Sequence, residues 1–184
     1  MKRAALSIAA LALSFAPSAS AQITVIGHGL GKDCYEAVKY AKSSFQSAEQ
    51  ICTKALIQGS LKPKNRSATF VNRGIVRMRD GRYDAALSDY AAAERLSGKK
   101  GPLHLNRGAA YIYKKDFASA LIDLNKGIEL DTQDIFAAYY NRAIAKENTG
   151  DVPGAYYDFK RALELNPDFK QAEIQLERFS IIQN

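Results

Sequence analysis

Asn72-Arg73-Gly74 returns as Asn106-Arg107-Gly108, 34 residues further on, and again as Asn141-Arg142-Ala143 after another 35. A fixed period of this size marks a stack of equivalent supersecondary units, so the repetition decides the fold. Twelve residues beyond each Gly or Ala stands an Ala: Ala86, Ala120 and Ala155. A large side chain follows four later (Tyr90, Leu124, Phe159), then a small one three later (Ala93, Gly127, Ala162). Leu96, Leu130 and Leu165 close the units. The extra residue of the second interval falls between Leu130 and Tyr139, where a loop absorbs it.

This pattern resembles the tetratricopeptide repeat family over residues 67–169. The resemblance implies two antiparallel helices per unit. Small residues at the eighth and twentieth positions let them approach (Gly74/Ala86, Gly108/Ala120, Ala143/Ala155), and the twenty-fourth residue fills the gap. The fourth position, often Trp in the family, holds Phe70, His104 and Tyr139; the Pro that often ends a unit survives only as Pro167. A degenerate unit precedes these, because Ala48, Cys52 and Ala55 repeat the small–large–small spacing. Its first helix is expected from Asp33, with Glu36 completing a capping box, and Lys62–Arg66 as a longer connection. After Leu165, Asn166-Pro167 reads as N-cap and first residue of a last helix. That helix stripes Phe169, Ala172, Leu176 and Phe179 on one side, as the polar-faced cap of a repeat array must. The expected fold is all-α: a right-handed α-solenoid of antiparallel helix pairs. Its parts are a degenerate unit over 33–66, three units over 67–169 and a capping helix over 170–184, nine helices with no sheet.

With 184 residues, 47% hydrophobic and 24% charged, the composition is that of a globular domain. It excludes a disordered tail, a collagen-like fibre and a disulfide-dense mini-scaffold. Met1-Lys2-Arg3, the apolar run Ala4–Ala16, Pro17 and Ala19-Ser20-Ala21 have the order of a cleaved signal peptide over 1–21. The run is shorter than the ~20 residues a membrane span needs. Gln22 follows the expected cut, so no lipid anchor is indicated. Export points to the periplasm of a Gram-negative cell, with secretion as the alternative, and makes a Cys34–Cys52 disulfide the expected state of the two cysteines. Residues 22–32 read as a flexible leader. Gly27-His28-Gly29-Leu30-Gly31 lacks the surrounding strand–turn–helix and the Lys-Ser/Thr of a phosphate loop.

No catalytic constellation is legible, since neither His28 nor His104 has a Ser, Cys or Asp partner at motif spacing. No cofactor, metal or nucleic acid is expected; two His and two Cys stand at no zinc-ligand spacing. Arg73, Arg107 and Arg142 each precede an aspartate (Asp89, Asp123, Asp158) by sixteen residues. In a hairpin turning near the fifteenth position those sites face each other, which predicts one Arg–Asp bridge per pair. The alternative is a ligand role for the arginines. The resemblance places binding on the concave face built by each unit's first helix. Its candidates here are Asn72 and Arg79, then Asn106 and Tyr113, then Tyr140 and Asn141. An Asn ladder offers donors and acceptors to a peptide backbone, or else serves inter-repeat hydrogen bonding. The Lys or Arg that some members use to hold a C-terminal carboxylate is missing from the second, fifth and sixth positions.

The expected function is therefore a non-catalytic periplasmic module that binds a peptide or protein segment in its groove. The charge distribution supplies the alternative. Residues 22–115 hold 17 basic and 7 acidic side chains, and residues 116–184 hold 7 and 12. Such asymmetry suits an anionic cell-envelope component on the basic half, or head-to-tail self-association.

Overall fold

The computed structural model describes residues 29–40, 44–97 and 100–179. The expected signal peptide, residues 22–28 of the expected leader and residues 180–184 of the expected capping helix lie outside the described residues. Among the described residues there are nine α-helices and no strand. They are α1 (Leu30–Tyr40), α2 (Phe45–Gln58), α3 (Pro63–Arg79), α4 (Tyr83–Ser97), α5 (Gly101–Tyr113), α6 (Phe117–Glu129), α7 (Ile135–Asn148), α8 (Val152–Leu165) and α9 (Lys170–Leu176). Consecutive helices pair as α1/α2, α3/α4, α5/α6 and α7/α8, and α9 packs on α8. The result is an α-solenoid. No described helix is long and apolar enough to cross a membrane.

Local chemistry sets the helix ends. Ser44, Asp116 and Asp151 each accept a hydrogen bond from the backbone N–H three residues on, at 3.0–3.2 Å, satisfying a donor the first turn leaves orphaned. Pro63, Pro102 and Pro153 sit in the first turns of α3, α5 and α8, where a missing N–H costs nothing. The hairpin turns repeat one geometry: Gly81, Lys115 and Gly150 all take positive φ (76°, 61°, 89°). Each turn is closed by a bond from the next N–H to a carbonyl five residues back, for example Arg82 N to Arg77 O at 2.8 Å. Two units meet this left-handed position with glycine, and the middle unit strains Lys115 into it.

Packing follows the small–large spacing. A Cβ added to Gly74 would stand 2.5 Å from the Tyr90 ring, and one added to Gly108 2.7 Å from Leu124 Cγ. Neither glycine can be enlarged without parting its helix pair. Three successive apolar clusters fill the solenoid, over α1–α5, α5–α7 and α7–α9. In the first, Cys34 and Cys52 are disulfide-bonded with Cα atoms 4.6 Å apart and no exposed surface.

Three helix boundaries differ from expectation. The first helix opens at Leu30, so Asp33 lies within its first turn rather than capping it, and Leu30–Lys32 leave the leader. Pro63 nucleates α3 early, turning most of the Lys62–Arg66 connection into helix. Asn166 is the C-cap of α8, with its N–H bonded to Ala162 O at 3.1 Å, and the last helix starts only at Lys170. The cause is Pro167: it disfavours helical backbone at the residue before it, and Asn166 takes φ −142° and ψ 90°.

Candidate functional site

The recurring arginine is the first residue to place. Arg73 Nε and Nη2 donate to Asp89 at 3.0 and 2.7 Å, Arg107 to Asp123 at 2.7 and 2.8 Å, and Arg142 to Asp158 at 2.7 Å twice. Each bridge is a two-pronged fork between the helices of one pair, the strong geometry for guanidinium and carboxylate. The third nitrogen, Nη1, reaches back to the preceding pair: to Thr53 at 3.2 Å, Glu94 at 2.7 Å and Asn125 at 2.8 Å. One arginine per unit thus ties three helices. The backward bond was not legible in the sequence because its spacings, 20, 13 and 17 residues, share no period. These side chains are spent on the scaffold rather than offered to a ligand.

The middle unit differs from its neighbours. Arg73 and Arg142 lie over the rings of Phe70 and Tyr139 at 5.5 and 5.1 Å, whereas that ring position in α5 is His104. Its Nδ1 lies 2.7 Å from Asp123 Oδ1, and its Nε2 is 4.0 Å from Glu94 Oε1. Burial pushes the Asp123 carboxyl up, but the His104 and Arg107 bonds outweigh burial and hold it below its ordinary value. His104 and Asp123 are 3% and 4% exposed, so their pairing serves the helix interface.

Further ion pairs link the first two units. Glu49 of α2 receives Arg82 and Arg77, the latter at 2.8 Å. The Arg82 bond leads in lowering its pKa from an ordinary 4.5 to about 2, against a smaller opposing effect of burial. A depressed carboxylate contributes stability above its unfolded value and loses it as pH falls through the folded one. Unfolding free energy should therefore hold steady from pH 8 to 5, then decline from about 4.5 toward 2. Denaturant titrations across that range check this, and Glu49→Gln should flatten part of the decline. A wild-type curve with no acid limb would remove these pairs from the account.

The expected groove runs across the first helices α3, α5 and α7. Asn72, Asn106 and Asn141 occupy one equivalent position on the three, but none has exposed surface. Asn106 Nδ2 donates to Pro102 O at 2.8 Å, and all three residues have partners. Tyr140 corrects an expectation outright. It is 1% exposed and packs edge-to-face on Phe159 and Phe169, with centroids 5.5 and 5.0 Å away, and burial raises its hydroxyl to about 12. It is a core residue because Phe169, the N-cap of α9, closes over it. Arg79 is exposed and donates to Val38 O at 3.2 Å, tying α3 to α1. Tyr113 is half-buried and stacks on Tyr83 at 5.3 Å. Among the described residues no cluster of three His, Cys, Asp or Glu is placed to hold a metal.

Family models for the tetratricopeptide repeat match residues 102–134 and 136–169. These two stretches are similar to tetratricopeptide repeats. The same small–large spacing and Arg–Asp fork extend the architecture to α3/α4. Tetratricopeptide repeat domains are protein–protein interaction modules, and the fold itself is a non-catalytic scaffold. Over 88 residues the chain is 32% identical to BBSome complex member BBS4 of Xenopus tropicalis, covering 48% of this chain and 17% of that protein. It spans only 17%, 11% and 9% of the first three curated relatives. The second TPR domain of the human RPAP3 protein, solved in complex with an HSP70 peptide, is 28% identical with a TM-score of 0.58. That match covers 63% of this chain and 96% of the domain. The crystal structure of MamA aligns with a TM-score of 0.65 at 20% identity over 82% of both chains, a likeness of fold alone.

Proposed function

We propose that this chain is a non-catalytic periplasmic adaptor that binds an extended peptide or protein segment across α3, α5 and α7. One observation carries the reading: Asn72, Asn106 and Asn141 repeat at one helical position on three successive first helices. Amides held along a single track suit an extended backbone, which offers a donor and an acceptor at every residue. Val71, Ile75, Leu105 and Ala109 lie buried beside them and Ile144 is half-buried, so an apolar segment binds as this face opens to admit it. The peptide complex of the similar human domain supports the same use of the fold. The ligand differs in kind, however. Ala68, Val71 and Asn72, and their equivalents on α5 and α7, include no cation for a terminal carboxylate. The basic half is a weaker candidate, because Arg73, Arg77, Arg82 and Arg107 are all engaged in internal ion pairs.

Fluorescent nine-residue peptides, apolar and amidated or acidic with free C-termini, test this by anisotropy. Apolar sequences should bind, and Asn106→Ala with Asn141→Ala should weaken them about tenfold, since each net hydrogen bond is worth ~0.5–1.5 kcal/mol. Salt from 0.1 to 1 M should change that affinity little, although it shortens the Debye length from ~10 to ~3 Å. A double variant that lowers only the melting temperature would make the amides scaffold. Salt-sensitive binding to anionic vesicles would move the function to the basic half.

A further inference from the structure

The two edges of the solenoid arrange their charges differently. Antiparallel pairing puts the turns within pairs on one edge and the connections between pairs on the other. Along the turn edge opposite charges sit together and satisfy each other, Arg82 with Asp80 and Lys114 with Asp84. Along the connection edge they are sorted by sign. Lys62 and Lys64 stand at the α2–α3 connection, and Arg95 and Lys100 at α4–α5. Asp131 and Asp134 stand at α6–α7, and Asp168 at α8–α9. None of these makes an ion pair among the described residues, whereas Glu129 and Glu164 beside them are held by Lys126 and Arg161. The sorting is a property of the sequence. No acidic residue occurs between Glu49 and Asp80 or between Glu94 and Asp116, and no Lys or Arg between Lys126 and Arg142.

A leucine stands at every one of these connections. Leu61 and Leu130 are half-buried, while Leu96 and Leu165 are 36% and 38% exposed. The edge therefore offers an apolar row flanked by charges in the order basic, basic, acidic, acidic. A second copy laid parallel would set like against like. Turned end for end, it sets each basic connection against an acidic one, and does so twice over by symmetry. Lys62 then meets the partner's Asp168, Lys100 meets the partner's Asp131, and Leu96 meets the partner's Leu130 across the axis. Four connections at helix spacings of ~8–10 Å span roughly 25–30 Å. That width matches a patch of ~800 Å² on each partner, the size of an ordinary specific interface.

We propose that two copies of this chain pair through the connection edge, antiparallel and closed by a two-fold axis. The contact uses the connections and leaves the face of α3, α5 and α7 to a partner segment, so the two readings fail separately.

Sedimentation velocity of the full chain over a hundredfold range of concentration tests this. Wild type should reach the mass of two chains and stop there. Lys62→Glu with Lys100→Glu, and separately Asp131→Lys with Asp168→Lys, should each weaken pairing at least tenfold while keeping the wild-type circular-dichroism spectrum. Asp131 has φ 49°, and Lys115 at φ 61° shows that the fold admits lysine in this backbone region. An equimolar mixture of the two variants should recover the dimer, because each reversed half then meets its complement. Salt needs no variant: from 0.1 to 1 M the Debye length shortens from ~10 to ~3 Å, and wild-type pairing should weaken at least tenfold. A chain that stays monomeric at every concentration overturns the proposal, as does a mixture that pairs no better than its parts. A ladder of growing masses would replace the closed pair by head-to-tail assembly. A monomeric chain that binds phosphatidylglycerol vesicles, and loses them only in the Lys62→Glu, Lys100→Glu variant, would assign the basic half of the edge to an anionic surface instead.

Discussion

Asp123→Ala should lower folding stability by about 3 kcal/mol, the low end of the cost of stripping one partner from a buried ion pair. The carboxylate is 6% exposed and the guanidinium it pairs with 16%. It also takes the His104 bond at 2.7 Å. Removing it leaves Arg107 and His104 facing a cavity with their charge and donor unmatched, while Glu94 still holds Arg107 from the other side. For a chain of this size the melting temperature should fall by roughly 6–12 °C. Glu164→Ala is the control, since Glu164 is half exposed and, among the described residues, pairs only with Arg161 on its own helix. Such surface pairs are worth ~0–1 kcal/mol. Equal losses from the two variants would reduce the recurring bridge to surface decoration.

Replacing Cys34 and Cys52 together by Ala should cost about 3 kcal/mol, from the loop-closure entropy a crosslink of this length removes from the unfolded chain. The linked residues are 18 apart and join α1 to α2. The location of the loss matters more than its size. In a solenoid each unit leans only on its neighbours, so the damage should stay local. Hydrogen exchange should quicken over α1 and α2 while α5 to α8 keep their protection. Uniform loss of protection along the chain would show instead that the first pair nucleates the whole array. Both sulfurs lie in the core, so external thiols should reduce the bond only slowly in the folded protein.

The period of 34 and the alternation of small and large residues made the helix pairs legible without coordinates, because they state a contact rule. Gly74 faces Tyr90 and Gly108 faces Leu124 since only a missing Cβ admits those side chains. The sixteen-residue offset from Arg to Asp was legible for the same reason: a hairpin of fixed geometry turns sequence distance into facing positions. Helix ends were less so. Asn166-Pro167 satisfies the rules for opening a helix and for closing one, and the extended backbone that Pro167 imposes on Asn166 settles the competition for closing. The backward reach of each arginine, the insertion of His104 beside Asp123 and the closure of the Asn track belong to tertiary structure alone. They join residues of different units whose separations share no period. Such contacts depend on how far one pair is rotated and shifted against the next, a quantity set by the sum of many packed surfaces rather than by any single spacing along the chain.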